Sequence, residues 1–114
     1  MMNVFEFDGI GEVVVSLLLD GDAYPGTVVR MLENNWACVC QDGDQFVGVT
    51  LKNKDEMGSV QVKGFVRVIY SGELDHGWKP LVANGSGGVR EDASGIQRLV
   101  IQVNPEEHSA VICL

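Results

Sequence analysis

Val60-Gln61-Val62-Lys63-Gly64-Phe65-Val66-Arg67-Val68-Ile69-Tyr70 repeats its apolar residues at an interval of two rather than 3.6. In an extended chain Val60, Val62, Val66, Val68 and Tyr70 fall on one side. Gln61, Lys63, Phe65, Arg67 and Ile69 fall on the other, which is only partly polar. Gly64, near the middle, predicts a bulge or bend, so that one long strand crosses from one part of a curved sheet to another. That is a trait of β-barrels.

The rest of the chain agrees. Its 14 Gly and 3 Pro are spread so evenly that only Thr27 to Asp42 runs beyond a dozen residues without either. An interior Gly costs a helix about 1 kcal/mol and a Pro about 3 relative to Ala, so long helices have nowhere to form. Even that stretch holds a polar turn, Glu33-Asn34-Asn35. Strands are predicted near 12–19, 27–32, 36–40, 46–51, 60–70, 98–103 and 110–114. Turn chemistry separates them at Tyr24-Pro25-Gly26, Asp42-Gly43-Asp44, Asn84-Gly85-Ser86-Gly87-Gly88 and Asn104-Pro105-Glu106-Glu107. Trp78-Lys79-Pro80 reads as a loop. The expectation is an all-β fold, a small antiparallel β-barrel or sandwich over residues 11–114, preceded by an extended N-terminal arm, residues 1–10.

At 114 residues the chain has room for one core. With 46% hydrophobic and 21% charged residues it has the composition of a globular domain. Its net charge of -8 has the wrong sign for neutralising phosphates, and Lys52, Lys54, Arg67 and Arg90 are scattered, so no nucleic-acid partner is expected. No stretch approaches the roughly 18 apolar residues of a membrane span, and MMNVFEFDGI lacks the pattern of a signal peptide. The expected place of synthesis is the cytoplasm. Cys38, Cys40 and Cys113 are odd in number and lack disulfide-framework spacing, which fits buried free thiols in a reducing compartment.

Each candidate for chemistry has a plainer reading. Nucleophilic catalysis requires a Ser or Cys with a His and an orienting carboxylate, yet His76 and His108 both fall in predicted polar loops. Asp75 and His76 are neighbours in sequence, which need not face each other. Cys38 and Cys40 share one face of a strand, with only Cys113 as a third zinc ligand, and read as small apolar groups; no metal or other cofactor is expected. Asn84 to Gly88 lacks the Lys-Ser/Thr end and following helix of a phosphate loop, and reads as a hairpin connection. Glu106-Glu107 and Asp55-Glu56 lie beside turn residues and read as solvated.

Aromatic residues point instead to contacts with another protein. Trp78 is a bulky aromatic in a predicted loop, a frequent anchor at interfaces. In an extended arm Phe5 and Phe7 point to one side and Glu6 and Asp8 to the other, offering an apolar edge to a partner. Phe5, Phe7 and Trp78 are therefore the candidate interface residues. No catalytic residue is assigned.

From about Gly21 to Leu114 the chain resembles the small β-barrel capsid cement, or head decoration, proteins of tailed bacteriophages and prophages. The likeness lies in the order and spacing of YPGTVVRML, FVGVTL, VQVKGFVRVIYSG, a Gly-Trp and an Asn-Gly-Ser-Gly-Gly-Val stretch, then RLVIQV and AVICL. Departures are the longer N-terminal arm and the acidic connection between Val103 and Ala110. The resemblance implies a non-enzymatic virion protein that binds the major capsid protein on the outside of an assembled head and stabilises the shell, working as a homo-oligomer, a trimer. The rival expectations are a small ligand-binding or adaptor barrel with a concave aromatic pocket around Trp36 or Trp78, and an enzyme in which His76 or His108 meets a nucleophile inside a cleft.

Overall fold

Gly64 divides the Val60–Tyr70 stretch between two sheets. The computed structural model describes residues 10–20, 23–54 and 57–114. Of the expected arm it describes Ile10 alone, so the placing of Phe5 and Phe7 lies outside the described residues. Among those described there are strands and no helix: β1 (Val13–Asp20), β2 (Val28–Glu33), β3 (Trp36–Val39), β4 (Gly48–Lys54), β5 (Met57–Lys63), β6 (Phe65–Ile69), β7 (Gly77–Ala83), β8 (Val89–Glu91), β9 (Ile96–Asn104) and β10 (Ser109–Cys113). The first five close into a barrel in the order β1-β3-β2-β4-β5, and the last five form a sheet in the order β6-β10-β9-β7-β8. The edges of that sheet meet at a single bridge between Tyr70 and Val89, so it too curls upon itself.

The crossing from β5 to β6 is held by backbone geometry that only glycine adopts at low cost. Gly64 has φ +92°, and a β-carbon there would lie 2.6 Å from the carbonyl carbon and oxygen of Gly11 and from the carbonyl oxygen of Ile10. This close approach lets the Phe65 N–H donate to the Ile10 carbonyl (3.0 Å) and the Leu114 N–H donate to the Gly64 carbonyl (2.9 Å). Gln61, expected on a partly polar outer face, is 1% exposed. Its Nε2 donates at 3.0 Å to the carbonyls of both Lys63 and Phe65, on either side of the glycine. A bend exposes carbonyls that a straight ladder would pair, and the buried amide supplies their donors.

The inner face of the second sheet presents Val66, Val68, Tyr70, Leu81, Val100 and Ile112 to Val28, Phe46 and Val49 from the barrel side, forming the larger core cluster. Fully burying side chains such as Leu81 or Ile112 contributes about 1.5–3 kcal/mol each. The barrel's own interior is smaller: Ala23, Val29, Ala37 and Val60 are buried, with Leu17, Leu19, Val39 and Val62 half-buried around them.

Turn chemistry follows the residue types. Thr27 N–H donates to the Tyr24 carbonyl at 3.1 Å across Pro25-Gly26, and Gly26 has φ +89°. Proline followed by a positive-φ glycine fits a type II turn. The buried Thr50 hydroxyl accepts from Thr27 N–H at 3.1 Å and donates to the Tyr24 carbonyl, fastening the turn to β4.

Three details differ from the sequence reading. β1 pairs with β3 in parallel over Leu18–Asp20, so the barrel is not antiparallel throughout. The 60–70 stretch forms two strands in different sheets, rather than one long strand. Trp78-Lys79-Pro80 lies within β7, a strand paired with both β8 and β9, rather than in a loop. Proline is admitted there because β8 pairs only with Leu81, Val82 and Ala83, so the missing Pro80 N–H faces the side where that ladder has ended. The Pro80 carbonyl on the same side accepts from Asp92 N–H at 3.0 Å.

Candidate interaction surface

Register brings together on the outer face of the second sheet residues far apart in sequence. Trp78 stands opposite Leu99, Leu99 opposite Cys113, and Cys113 opposite Phe65. Directly opposed residues project from the same face. Trp78, Leu99, Cys113 and Phe65 therefore make one apolar row across β7, β9, β10 and β6. Leu99, Cys113 and Phe65 are half-buried, whereas Trp78 ends the row 66% exposed. At the other end Phe65 borders a cleft of about 330 Å³, lined also by Pro25, Thr50 and Gln61 from the barrel.

The neighbouring row is polar at its ends. Val111 is opposite both Arg67 and Gln102, whose side chains join at 3.3 Å. Val111 between them is fully buried. The sequence reading singled out Trp78 and missed Leu99, Cys113 and Phe65, since half-buried residues on separate strands carry no local mark of a shared surface. Only the register assembles them.

Groups considered for catalysis occupy separate places. His76 and Asp75, neighbours that need not face each other, do so here: the Asp75 carboxylate accepts from the His76 N–H at 2.8 Å and lies 3.0 Å from its Nδ1. These bonds, the backbone one first, hold the Asp75 carboxyl below its usual range. Both side chains are exposed. His108, at φ +52° in the β9–β10 turn, sets its ring 5.3 Å from that of Tyr70. Among the described residues neither histidine side chain is hydrogen-bonded to a Ser or Cys.

Cys40 is buried in the core, and its thiol is pushed up to about 12 by burial and then by the nearby Asp44. Cys38 and Cys113 are half-buried rather than fully enclosed, and all three thiols are free. The glycine-rich Asn84–Gly88 segment is the β7–β8 hairpin connection, with the Asn84 side chain accepting from the N–H groups of Ser86 and Gly88 at 2.8 and 3.1 Å. Asn104 plays the same part for Glu106 and Glu107, at 3.1 and 3.3 Å. Asp55 and Glu56 lie outside the described residues.

Among the described residues neither Trp36 nor Trp78 lines the surface clefts of about 530, 610, 330 and 200 Å³. Trp78 thus stands on an open sheet face rather than in a concave pocket. Comparison of the chain with protein-family models and with curated protein sequences finds no match to either.

Proposed function

We propose that this protein is a non-enzymatic decoration subunit of a tailed-phage or prophage head, binding the major capsid protein on the outer surface of the assembled shell as a homo-oligomer. The order of sequence segments supports the family reading, and the open apolar row ending on Trp78 is the observation that carries a protein-binding role. An open, mixed apolar and polar sheet face with one protruding aromatic suits another protein's surface, where Trp is enriched among residues that dominate binding. Small ligands are held in concave sites. The net charge of -8 also disfavours non-specific binding to nucleic acid, since it repels phosphate.

The test is co-sedimentation of the purified chain with assembled heads of the phage or prophage that encodes it. Saturable binding to intact shells, weakened at least tenfold by Trp78→Ala, is the expected result. Failure of the native chain to sediment with shells under low and moderate salt overturns the assignment. Undiminished binding of Trp78→Ala moves the docking face away from the second sheet.

A further inference from the structure

We infer that the cleft of about 530 Å³ at one end of the second sheet receives an arginine side chain of the docking protein. The inference deepens the protein-binding reading by naming a contact beside Trp78, and it rests on that reading only for the partner's identity. Tyr70, which follows β6, and Glu91, which ends β8, come from the two edges that meet at the Tyr70–Val89 bridge. Glu73 and Asp75 from the β6–β7 connection and His108 from the β9–β10 turn line the same cleft. Asp75 precedes Trp78 by three residues, no more than about 11 Å of chain, so one partner surface can reach both.

The Tyr70 hydroxyl carries the inference. Tyr70 is 5% exposed, with its ring in the larger core and against that of His108. Its N–H donates to the His108 carbonyl at 2.9 Å, but its hydroxyl has no hydrogen-bond partner among the described residues. There, the fully enclosed side-chain atoms without a partner belong to Arg30, Arg98 and Ser109. The Tyr70 hydroxyl is therefore reached from the cleft that the residue lines. A tyrosine buried this deeply ordinarily satisfies its hydroxyl, and a bound donor would do so here.

Charge selects that donor. Glu73, Asp75 and Glu91 line the cleft, and among the described residues no Lys or Arg does. Asp75 is shared with His76, whereas no cation among the described residues pairs with the Glu73 or Glu91 carboxylate. Arg90, next to Glu91 in sequence, is held by Asp42 and Asp92 instead. An occupant that brings both positive charge and N–H donors meets the carboxylates and the hydroxyl together. Among the described residues no three such side chains are placed to hold a metal ion, so the negative groups are too spread for a compact cation. A guanidinium carries five N–H donors in a planar fork and can reach separate acceptors at once. Leu74 and Pro105 offer apolar wall to its methylenes. Those walls are fixed in advance: Leu74 packs against the core, the Ser71 N–H donates to the Val89 carbonyl at 2.9 Å, and the Ser71 hydroxyl accepts from Asn84 Nδ2 at 3.1 Å.

The test is an NMR titration of the full chain with N-acetyl-arginine N-methylamide. Saturable shifts centred on Tyr70, Glu73, Glu91 and His108 are expected, with a dissociation constant on the order of millimolar, since ion pairs in contact with water are weak. N-acetyl-citrulline N-methylamide, close in shape but uncharged, should bind about tenfold more weakly. Tyr70→Phe keeps the packed ring and removes only the hydroxyl; it should weaken the arginine probe about two- to tenfold with an unchanged circular dichroism spectrum. The double variant Glu73→Gln, Glu91→Gln, altered only at exposed side chains, should weaken it about fivefold. Absence of saturable shifts, equal binding of the citrulline probe, the same shifts from calcium chloride, or full affinity in both variants overturns the inference. Head binding is read separately by co-sedimentation. Specific probe binding by a chain that does not bind heads refutes decoration alone, and head binding without specific probe binding refutes the arginine site alone.

Discussion

Replacing Gly64 by alanine tests the feature on which the two-sheet architecture turns. At φ +92° an L-residue is strained, at a cost of about 1–2 kcal/mol. The new methyl would also lie 2.6 Å from backbone atoms of Ile10 and Gly11, which cannot swing aside like the end of a long side chain. Relief requires moving that segment, with about 1–3 kcal/mol of overpacking and loss of the Phe65–Ile10 hydrogen bond, about 1 kcal/mol. Together these give a loss of about 3–6 kcal/mol. At about 4 °C per kcal/mol for a domain near this size, the melting midpoint should fall by roughly 12–24 °C.

Gly26→Ala supplies the control. Its φ of +89° is nearly the same, but a β-carbon there has nothing within 4 Å. It should therefore lose only the conformational part, about 1–2 kcal/mol. Thermal melts followed by circular dichroism and urea unfolding of the two variants separate strain from steric overlap. Equal losses at Gly64 and Gly26 would refute the close approach of residues 10–11 as the reason for this glycine.

Gln61→Leu, similar in volume, removes the buried amide that donates to the Lys63 and Phe65 carbonyls at the bend, and urea unfolding should show a loss of about 2–4 kcal/mol. Asp92 should titrate near 2, because the Ser94 N–H and hydroxyl and then Arg90 hydrogen-bond its carboxylate. An unfolded Asp titrates near 3.9, so the stabilisation is present above about pH 4 and is lost as pH falls through about 2. A carboxyl-carbon NMR titration with a midpoint near 4 in the native chain would contradict this, and Ser94→Ala should raise the midpoint. Cys40, with its thiol near 12, should resist iodoacetamide at pH 8 in the folded chain, with Cys38 and Cys113 reacting first by mass spectrometry; preferential labelling of Cys40 would count against its burial.

What could be read from the residues was local. Alternation in Val60–Tyr70, the even spread of glycine and proline, and the Tyr24-Pro25-Gly26 and Asn84–Gly88 turns determined an all-β chain and where several strands end. They act through neighbouring φ/ψ preferences and side-chain period, which need no distant partner. Gly64 was legible as a crossing for the same reason. β7 was not, because Pro80 reads as a breaker until the neighbouring ladder is known to end before it, and β8 is too short to show a period.

The surface was legible only at Trp78. Joining it to Leu99, Cys113 and Phe65 and burying Gln61 between sheets both depend on which strands lie side by side and in what register. Those pairings bring together residues tens of positions apart, and a one-residue slip would turn each side chain to the opposite face. Tertiary packing decides them because the free energy that selects a register resides in the buried core shared by both sheets, rather than in any strand alone.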